Sequence, residues 1–295
     1  MVSPSSAGGA CVFVAGAGGQ LGAAIVQAFG DRQVIAHTRA TLDVSDHRAV
    51  CEAVADAKPG VIINCTSFND VDGAESRPLE AFAVNAFAVR SLARAAEDAG
   101  ARLVHYSTDF VFDGTASAPY RETDAPSPRS TYAASKLIGE WFALEAPGAM
   151  VLRVESLFGT SRTWTGRRGT IDALVAGLED GRPVRVFTDR TVSPSYIADV
   201  VAATRHLLDT AAAPGLYHCV NGGRATWEQV ARELARQLGV EPRLEPMTMD
   251  RVTLAAKRPR YCALANDKLA AAGFAMPPWQ DAVARWFTVR GVPTR

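Results

Sequence analysis

Three features of the 295-residue sequence predict an α/β fold, a doubly wound parallel sheet. Short apolar runs rich in branched residues recur along the chain: CVFVAG (11–16), QVIAHT (33–38), GVIINCT (60–66), RLVHYST (102–108) and MVLRVESLFG (150–159). The first four are continuously apolar at their centres, as strands covered on both faces should be. The stretches between them read as helices, and strands alternating with helices imply parallel pairing through crossover connections.

Taken in order, QLGAAIVQAF (20–29) places Leu21, Ile25 and Phe29 on one helical face, with Gly30 as its expected C-cap. Residues 79–99 read as a longer Ala-rich helix ending at Gly100. Beyond residue 160 the alternation loosens. WTGRRG (164–169) reads as a loop, PVRVF (183–187) as a strand and YIADVVAATRHLL (196–208) as a helix. A strand YHCV (217–220) and the helices WEQVARELARQLG (227–239) and WQDAVARWF (279–287) follow. The Ser/Gly-rich residues 1–9 are expected to be disordered, 10–160 to form a nucleotide-binding domain, and 161–295 a smaller, mainly substrate-binding domain with some elements returning to the first sheet.

Directly after the first strand, AGAGGQLG spaces Gly16, Gly19 and Gly22 three apart and leads into a helix, the context a dinucleotide site requires. Gly16 permits the tight turn, Gly19 lets backbone approach a diphosphate, and Gly22 lets helix and strand pack closely. The helix N-terminus then offers N–H groups to the phosphates. This is the Rossmann-type arrangement. The second strand ends in His37-Thr38-Arg39, with no carboxylate to hold a ribose 2′-hydroxyl. Thr38 and Arg39 suit a 2′-phosphate instead, so NADPH is the expected cofactor and NADH the alternative.

TYAASKLIGE (131–140) sets Tyr132 and Lys136 four apart, on one helical face. Beside them runs an apolar stripe, Ala133, Leu137, Trp141 and Leu144, expected to dock on the sheet, with the pair at its edge. A phenol that exchanges protons near neutral pH needs its anion stabilised by roughly 3 to 4 kcal/mol. An ammonium about 4 Å away contributes on the order of 4 kcal/mol at an effective dielectric near 20. HYSTD closes the fourth strand, where such sheets place ligand groups, and supplies the Thr108 hydroxyl and the Asp109 carboxylate.

Lysine plus arginine balances aspartate plus glutamate at 31 each, which gives no ground for nucleic acid or an anionic membrane as partner. The obvious basic pairs are Arg167-Arg168 and Lys257-Arg258. Five scattered cysteines and five histidines form no metal-ligand spacing, so no metal is expected. The N-terminus lacks a secretory pattern and no apolar run has membrane-spanning length, which makes the cytoplasm the expected location. Arg258 and Arg260, flanking Pro259, could clamp a diphosphate or form structural ion pairs. Trp164 could cover a substrate, and mid-helical Asn85 could orient backbone near the site.

VAGAGGQLG, LDVSD (42–46), PGVIINCTSFNDVDGAES (59–76), HYSTDFVFDGT (105–115), SPRSTYAASKLIGE and RPRYCAL (258–264) together resemble the dTDP-4-dehydrorhamnose reductase family of the extended short-chain dehydrogenase/reductase superfamily. The resemblance runs from residue 11 to about 290. It implies reduction by NADPH of the 4-keto group of a nucleotide-linked 6-deoxy sugar, with Thr108, Tyr132 and Lys136 as the catalytic triad. It places Gly19, Gln20 and Leu21 on the cofactor diphosphate, Asp43 and Val44 beside the adenine, and Cys65, Thr66, Ser67, Phe68 and Asn69 beneath the cofactor. Thr108 and Asp109 become substrate contacts; Ser156, standing where the family has a sugar-facing tryptophan, and Arg258, as a diphosphate clamp, are the further substrate-binding candidates.

Two segments depart from the family pattern. R-T-S-W reads Arg153-Val154-Glu155-Ser156, which puts a serine where a tryptophan is usual, and D-Q-x-G-x-P-T reads Asp189 to Ser195 with Arg190 and Val192. The identity of the sugar therefore stays open. So do two other functions, a non-catalytic NADP-binding subunit similar to the methionine adenosyltransferase regulatory subunit and a sugar-nucleotide epimerase or dehydratase. A homodimer is compatible with the resemblance.

Overall fold

The computed structural model describes residues 10–159, 166 and 169–291. Residues 1–9, expected to be disordered, lie outside that range, as do Trp164, Arg167 and Arg168. In chain order the strands are β1 (Val12–Ala15), β2 (Val34–His37), β3 (Val61–Asn64), β4 (Arg102–Thr108), β5 (Met150–Val154), β6 (Leu157–Phe158), β7 (Val184–Phe187), β8 (Thr191–Val192), β9 (Ser195–Tyr196), β10 (Gly215–His218), β11 (Ala225–Thr226) and β12 (Leu244–Met247). The helices are α1 (Gln20–Ala28), α2 (His47–Ala57), α3 (Val71–Ser76), α4 (Pro78–Phe82), α5 (Ala88–Ala99), α6 (Thr131–Glu145), α7 (Thr170–Glu179), α8 (Ile197–Asp209), α9 (Trp227–Leu238), α10 (Asp267–Ala271) and α11 (Trp279–Val289).

Contacts divide the chain into two compact units. Among the described residues, the first comprises 10–108, 130–152 and 201–217; the second comprises 109–129, 153–159, 166, 169–200 and 218–291.

The six-stranded sheet has the order β10-β5-β4-β3-β1-β2, and β1 pairs in parallel with both β2 and β3, as β3 does with β4. The predicted doubly wound sheet is therefore present. β1 and β3 are buried throughout, because helices cover both faces. β2 is the exception to the expected burial: as the outermost strand it leaves Ala36 exposed. In the first unit, Phe13, Ile62, Leu92, Leu103 and Val151 share one apolar core.

The expected helix over 79–99 is three pieces. Between α4 and α5, Ala83–Phe87 form a π-helical turn. That turn meets α6 at Gly139, where a Cβ would collide with the Asn85 carbonyl oxygen. Gly100 ends α5 with φ +64°, as expected, whereas α1 is capped by Phe29 and Gly30 stays outside the left-handed region.

The stripe read on α6 is only half correct. Ala133 and Leu137 are buried, but Trp141 is 57% exposed and Leu144 41%, and the buried face continues through Ser135, Lys136, Gly139, Glu140 and Ala143. The helix thus turns ionisable residues to the sheet and small ones to the π turn, which allows a closer approach than a tryptophan would. With Leu79 on α4 and Phe87 on the π turn, Trp141 and Leu144 leave an apolar surface on this unit.

In the second unit, β6 pairs with β9, β7 with β12 and β8 with β11 around a core that includes Phe158, Leu174, Val230, Trp279 and Trp286. The run expected as one strand over 150–159 breaks at Ser156, whose φ of +46° separates β5 from β6. Arg285 clamps Asp199 with two hydrogen bonds of 2.8 and 2.7 Å, and Asn221 donates to the same carboxylate at 2.6 Å.

Gly139→Ala should destabilise the protein by about 1–3 kcal/mol, the range for overpacking, seen as a lower midpoint in urea at unchanged slope. An unchanged midpoint would show that the π turn yields to a methyl group.

Candidate functional site

In the first unit, the chain leaves β1 through Gly16 at φ +84°, and the N–H groups of Gly16 and Ala17 both donate to the His37 carbonyl at 2.9 Å. A Cβ on Gly16 would lie 2.8 Å from the Cys65 carbonyl carbon, and one on Gly22 would run into the Gly16 carbonyl. Both positions therefore admit only glycine, for the reasons read from the sequence. Gly19 is the N-cap of α1 and offers no capping side chain, and Gly18 and Gly19 are exposed. The first turn of the nine-residue helix thus faces outward over bare backbone, a cradle that a diphosphate fits. Gln20 is half-buried in that turn and Leu21 is buried.

At the end of β2, the half-buried Thr38 has its methyl 3.5 Å from the Cβ position of Gly18, and Arg39 is exposed beside it. Hydrogen bonds from Ser45, with a smaller contribution from Arg39, hold the Asp43 carboxyl below its usual range. Val44 is buried in the apolar core with Leu42, so a ligand could reach it only through its backbone or the rim of its side chain.

The loop after β3 is held from two sides. Asn64 Oδ1 accepts from the Thr66 N–H at 3.0 Å and from its hydroxyl at 2.6 Å. Asn85 Oδ1 accepts from the Phe68 N–H at 2.8 Å and the Ser67 hydroxyl at 3.2 Å, while its amide donates to the Phe68 carbonyl at 3.1 Å and to Ser135 Oγ at 3.0 Å. Asn85 does orient backbone, and the π turn is what brings its side chain there. Burial pushes the Cys65 thiol up, and Ser67 and Asn69 are exposed.

β4 ends at the buried Thr108. Lys136 is not at the edge of the buried surface, as expected, but 2% exposed beneath it. Its Nζ donates to the Tyr106 carbonyl at 2.6 Å and lies 3.3 Å from His105 Nε2. Ser107 donates to Glu140 at 2.5 Å, a second tie between β4 and α6. Burial lowers the Lys136 ammonium to about 8, against the opposing pull of Glu140. Tyr132, one turn earlier on α6, is half-buried. The glycine turn, the 65–69 loop and Thr108 follow the C-terminal ends of parallel strands and so share one edge of the sheet.

In the second unit, a cleft of ≈ 410 Å³ is lined by Asp113, Arg129, Met249, Leu254, Lys257 and Arg258, among others. Arg260 sits 3.7 Å from Asp189 and 3.9 Å from Asp250, in structural ion pairs.

The profile of the family described as "RmlD substrate binding domain" matches residues 10–290. dTDP-4-dehydrorhamnose reductase of Mycobacterium tuberculosis is 36% identical over 92% of this chain and 90% of its own length. The chain belongs to the dTDP-4-dehydrorhamnose reductase family. The dTDP-4-keto-6-deoxy-D-glucose reductase of Streptomyces niveus is 33% identical over 93% of this chain and 95% of its own. Among solved structures, the dTDP-4-dehydrorhamnose reductase of Bacillus anthracis, crystallised with NADP, superposes with a TM-score of 0.89 at 29% identity, over 95% of this chain and 99% of that one.

The two segments that depart from this family's pattern meet in the second unit. Ligand atoms of Asp109, Glu155 and Cys262 lie within 4.8 Å of one another. Arg190 reaches Cys262 Sγ at 3.8 Å, stacks 5.3 Å over the Phe110 ring and feels the charges of Asp109 and Glu155. Glu155 Oε2 accepts from the Ser193 N–H at 2.6 Å. Burial, then Asp109, push the Glu155 carboxyl well above its usual range. With Glu155 protonated, Asp109 and Arg190 carry compensating charges, and the donor set that could attract a metal ion already holds its cation. The sequence marks Glu155 and Arg190 as departures from the family pattern but not as partners, because 35 residues separate them.

Glu155→Gln should change stability at pH 7 by less than about 1 kcal/mol, since glutamine replaces a protonated carboxyl, whereas Arg190→Met should cost about 3–5 kcal/mol by removing the cation beside a buried carboxylate. A raised folded-state value means the native form binds more protons above pH 4.5, so wild-type stability falls as pH rises through that window and the glutamine variant lacks this component. Urea titrations at several pH values measure both, and a large loss in Glu155→Gln at pH 7 would show an ionised glutamate.

Proposed function

We propose that the protein is an NADPH-dependent ketoreductase acting on the 4-keto group of a dTDP-linked 6-deoxy sugar. The observation that carries this reading is the bond from Lys136 Nζ to the carbonyl two residues before Thr108, which holds the face of α6 bearing Tyr132 against the end of β4. Family membership, relatives named as dTDP-4-keto-sugar reductases and a neighbour crystallised with NADP support it from a second side. The bound dinucleotide supplies the hydride.

The chain's own residues do the rest. The bare first turn of α1, with Gln20 and Leu21, receives the diphosphate, and Thr38 and Arg39 receive the 2′-phosphate. Asp43 and the Val44 backbone border the adenine, and the loop from Cys65 to Asn69, fixed by Asn64 and Asn85, lies beneath the cofactor. Thr108 donates a hydrogen bond to the ketone oxygen, and Tyr132 protonates that oxygen as it becomes a hydroxyl. Lys136 in its ammonium form favours the phenolate left behind. Asp109 and Ser156 contact the sugar, and Arg258, with Arg129 and Lys257 around the cleft, binds the nucleotide diphosphate. The apolar surface of Leu79, Phe87, Trp141 and Leu144 is the face we assign to a homodimer. Light scattering of wild type against Trp141→Glu tests it, and an unchanged mass would discard that face.

The decisive assay follows NADPH oxidation at the nicotinamide absorbance with dTDP-4-keto-6-deoxyhexose generated in place. Tyr132→Phe should abolish most turnover at nearly unchanged NADPH affinity, and no turnover by the wild type despite tight NADPH binding would refute the reductase reading. Arg39→Ala should weaken NADPH roughly tenfold or more, the loss of a charge-assisted contact, with little effect on NADH. Equal losses would remove Arg39 from the 2′-phosphate. Arg258→Ala should raise KM for the nucleotide sugar at little-changed kcat.

A further inference from the structure

His105 is fully buried on β4 and stands beside Asn64 of β3 in the parallel register. The Asn64 amide has one orientation open to it: the Thr66 backbone N–H can only donate, so the atom that accepts it is Oδ1. Nδ2 therefore faces His105 Nδ1, at 3.1 Å, and donates to it. A ring that accepts at Nδ1 carries its proton on Nε2. An imidazolium is disfavoured, because it would aim a second N–H at the amide and add a charge beside Lys136; burial, then Lys136, hold the ring well below its ordinary titration range.

The Nε2–H thus points at Lys136 Nζ, 3.3 Å away. An ammonium has three donors and no acceptor, so it would set donor against donor. An uncharged amine has a lone pair for the Nε2–H and still an N–H for the Tyr106 carbonyl. The second buried, paired histidine makes the contrast. His218 Nδ1 donates to the Ala265 carbonyl at 3.0 Å and leaves Nε2 to accept from Arg153 at 3.3 Å, an arrangement that suits a permanent cation. His105 has the opposite polarity. The other groups facing Lys136 are Glu140 on its own helix and Cys65 at the end of β3, both of which favour the ammonium, with Tyr132 one turn away.

We propose that His105, locked by Asn64 into the Nε2–H tautomer, is a positioning residue that opposes the ammonium form of Lys136 and favours its uncharged amine. Its effect on the rate rests on the reductase reading: turnover that needs the ammonium falls as pH rises through about 8, the value at which burial leaves Lys136. Its effect on the side chains does not depend on that reading.

The test uses the full chain without cofactor. Long-range nitrogen–proton correlation of the imidazoles, with His105→Gln for assignment, should report the Nε2–H tautomer from pH 6 to 9, and an Nδ1–H or doubly protonated ring would overturn the proposal. The sequence holds four lysines, Lys58, Lys136, Lys257 and Lys268, so selective carbon labelling at Cε resolves the titration of Lys136. Asn64→Asp keeps an acceptor for Thr66 but accepts from Nδ1–H, which turns Nε2 into an acceptor for the ammonium. Lys136 should then titrate higher by roughly one unit or more, the effect of reversing a buried hydrogen bond. The alkaline limb of the pH–rate profile should move with it. Asn64→Leu, which unlocks the ring without adding charge, should shift the titration in the same direction by less. A Lys136 titration unmoved in both variants sinks the proposal, whether or not the enzyme reduces a keto sugar.

Discussion

Burying the amine of Lys136 is the constraint around which the first unit is arranged. Withdrawing that group from water is costly, and the cost is offset only where hydrogen-bonding partners are built in at fixed positions. The Tyr106 carbonyl can serve because β4 lies inside the sheet and α6 lies close against it. Close packing in turn demands Gly139, whose missing Cβ makes room for the Asn85 carbonyl, and the π turn that carries Asn85. That turn aims the Asn85 amide at the Ser67–Phe68 loop. One buried lysine thereby links the packing of two helices to the shape of a loop at the strand ends.

How much of this could be read from residues alone depends on the distance over which each interaction acts. The glycine turn was legible because its logic is local: Gly16, Gly19 and Gly22 act within seven residues, and the structure gives Gly16 the positive φ of the tight turn and Gly22 the close packing that were read for them. β1, β3 and β4 were legible because strands buried on both faces need unbroken apolar runs. β2 was misjudged, since an edge strand can carry the same composition. On α6 the pattern of large apolar residues pointed to Trp141 and Leu144, but the sheet selects the side that fits closest, and there small residues outrank large ones. The π turn and the Asn64–His105–Lys136 chain have no sequence signal at all, because the first is set by its fit against α6 and the Ser67–Phe68 loop and the second needs two strands and a helix assembled.

The same reasoning explains why two departures from the family pattern appeared unrelated. Glu155 follows a strand and Arg190 sits in a later loop, and both are buried. Together with Asp109 they balance: Arg190 supplies the cation that a buried carboxylate requires, and a protonated Glu155 takes up the Ser193 N–H without adding charge. Removing Arg190 alone would cost several kcal/mol, whereas a neutral isostere at Glu155 would not, so the cation is the member of the pair that the buried carboxylate requires.

The two buried histidines make the general point about polarity. His105 and His218 are both neutral for the same first reason, burial, yet each faces a basic side chain with opposite consequences. What separates them is the partner on the far side of the ring. A carbonyl at Nδ1 leaves Nε2 free to accept from Arg153, whereas an amide donor at Nδ1 forces Nε2 to present a proton to Lys136. For an arginine that never loses its charge only the first arrangement is stable. For a lysine whose work depends on when it is charged, the second gives the neighbouring strand control over that moment, through an asparagine that touches neither the lysine nor the tyrosine.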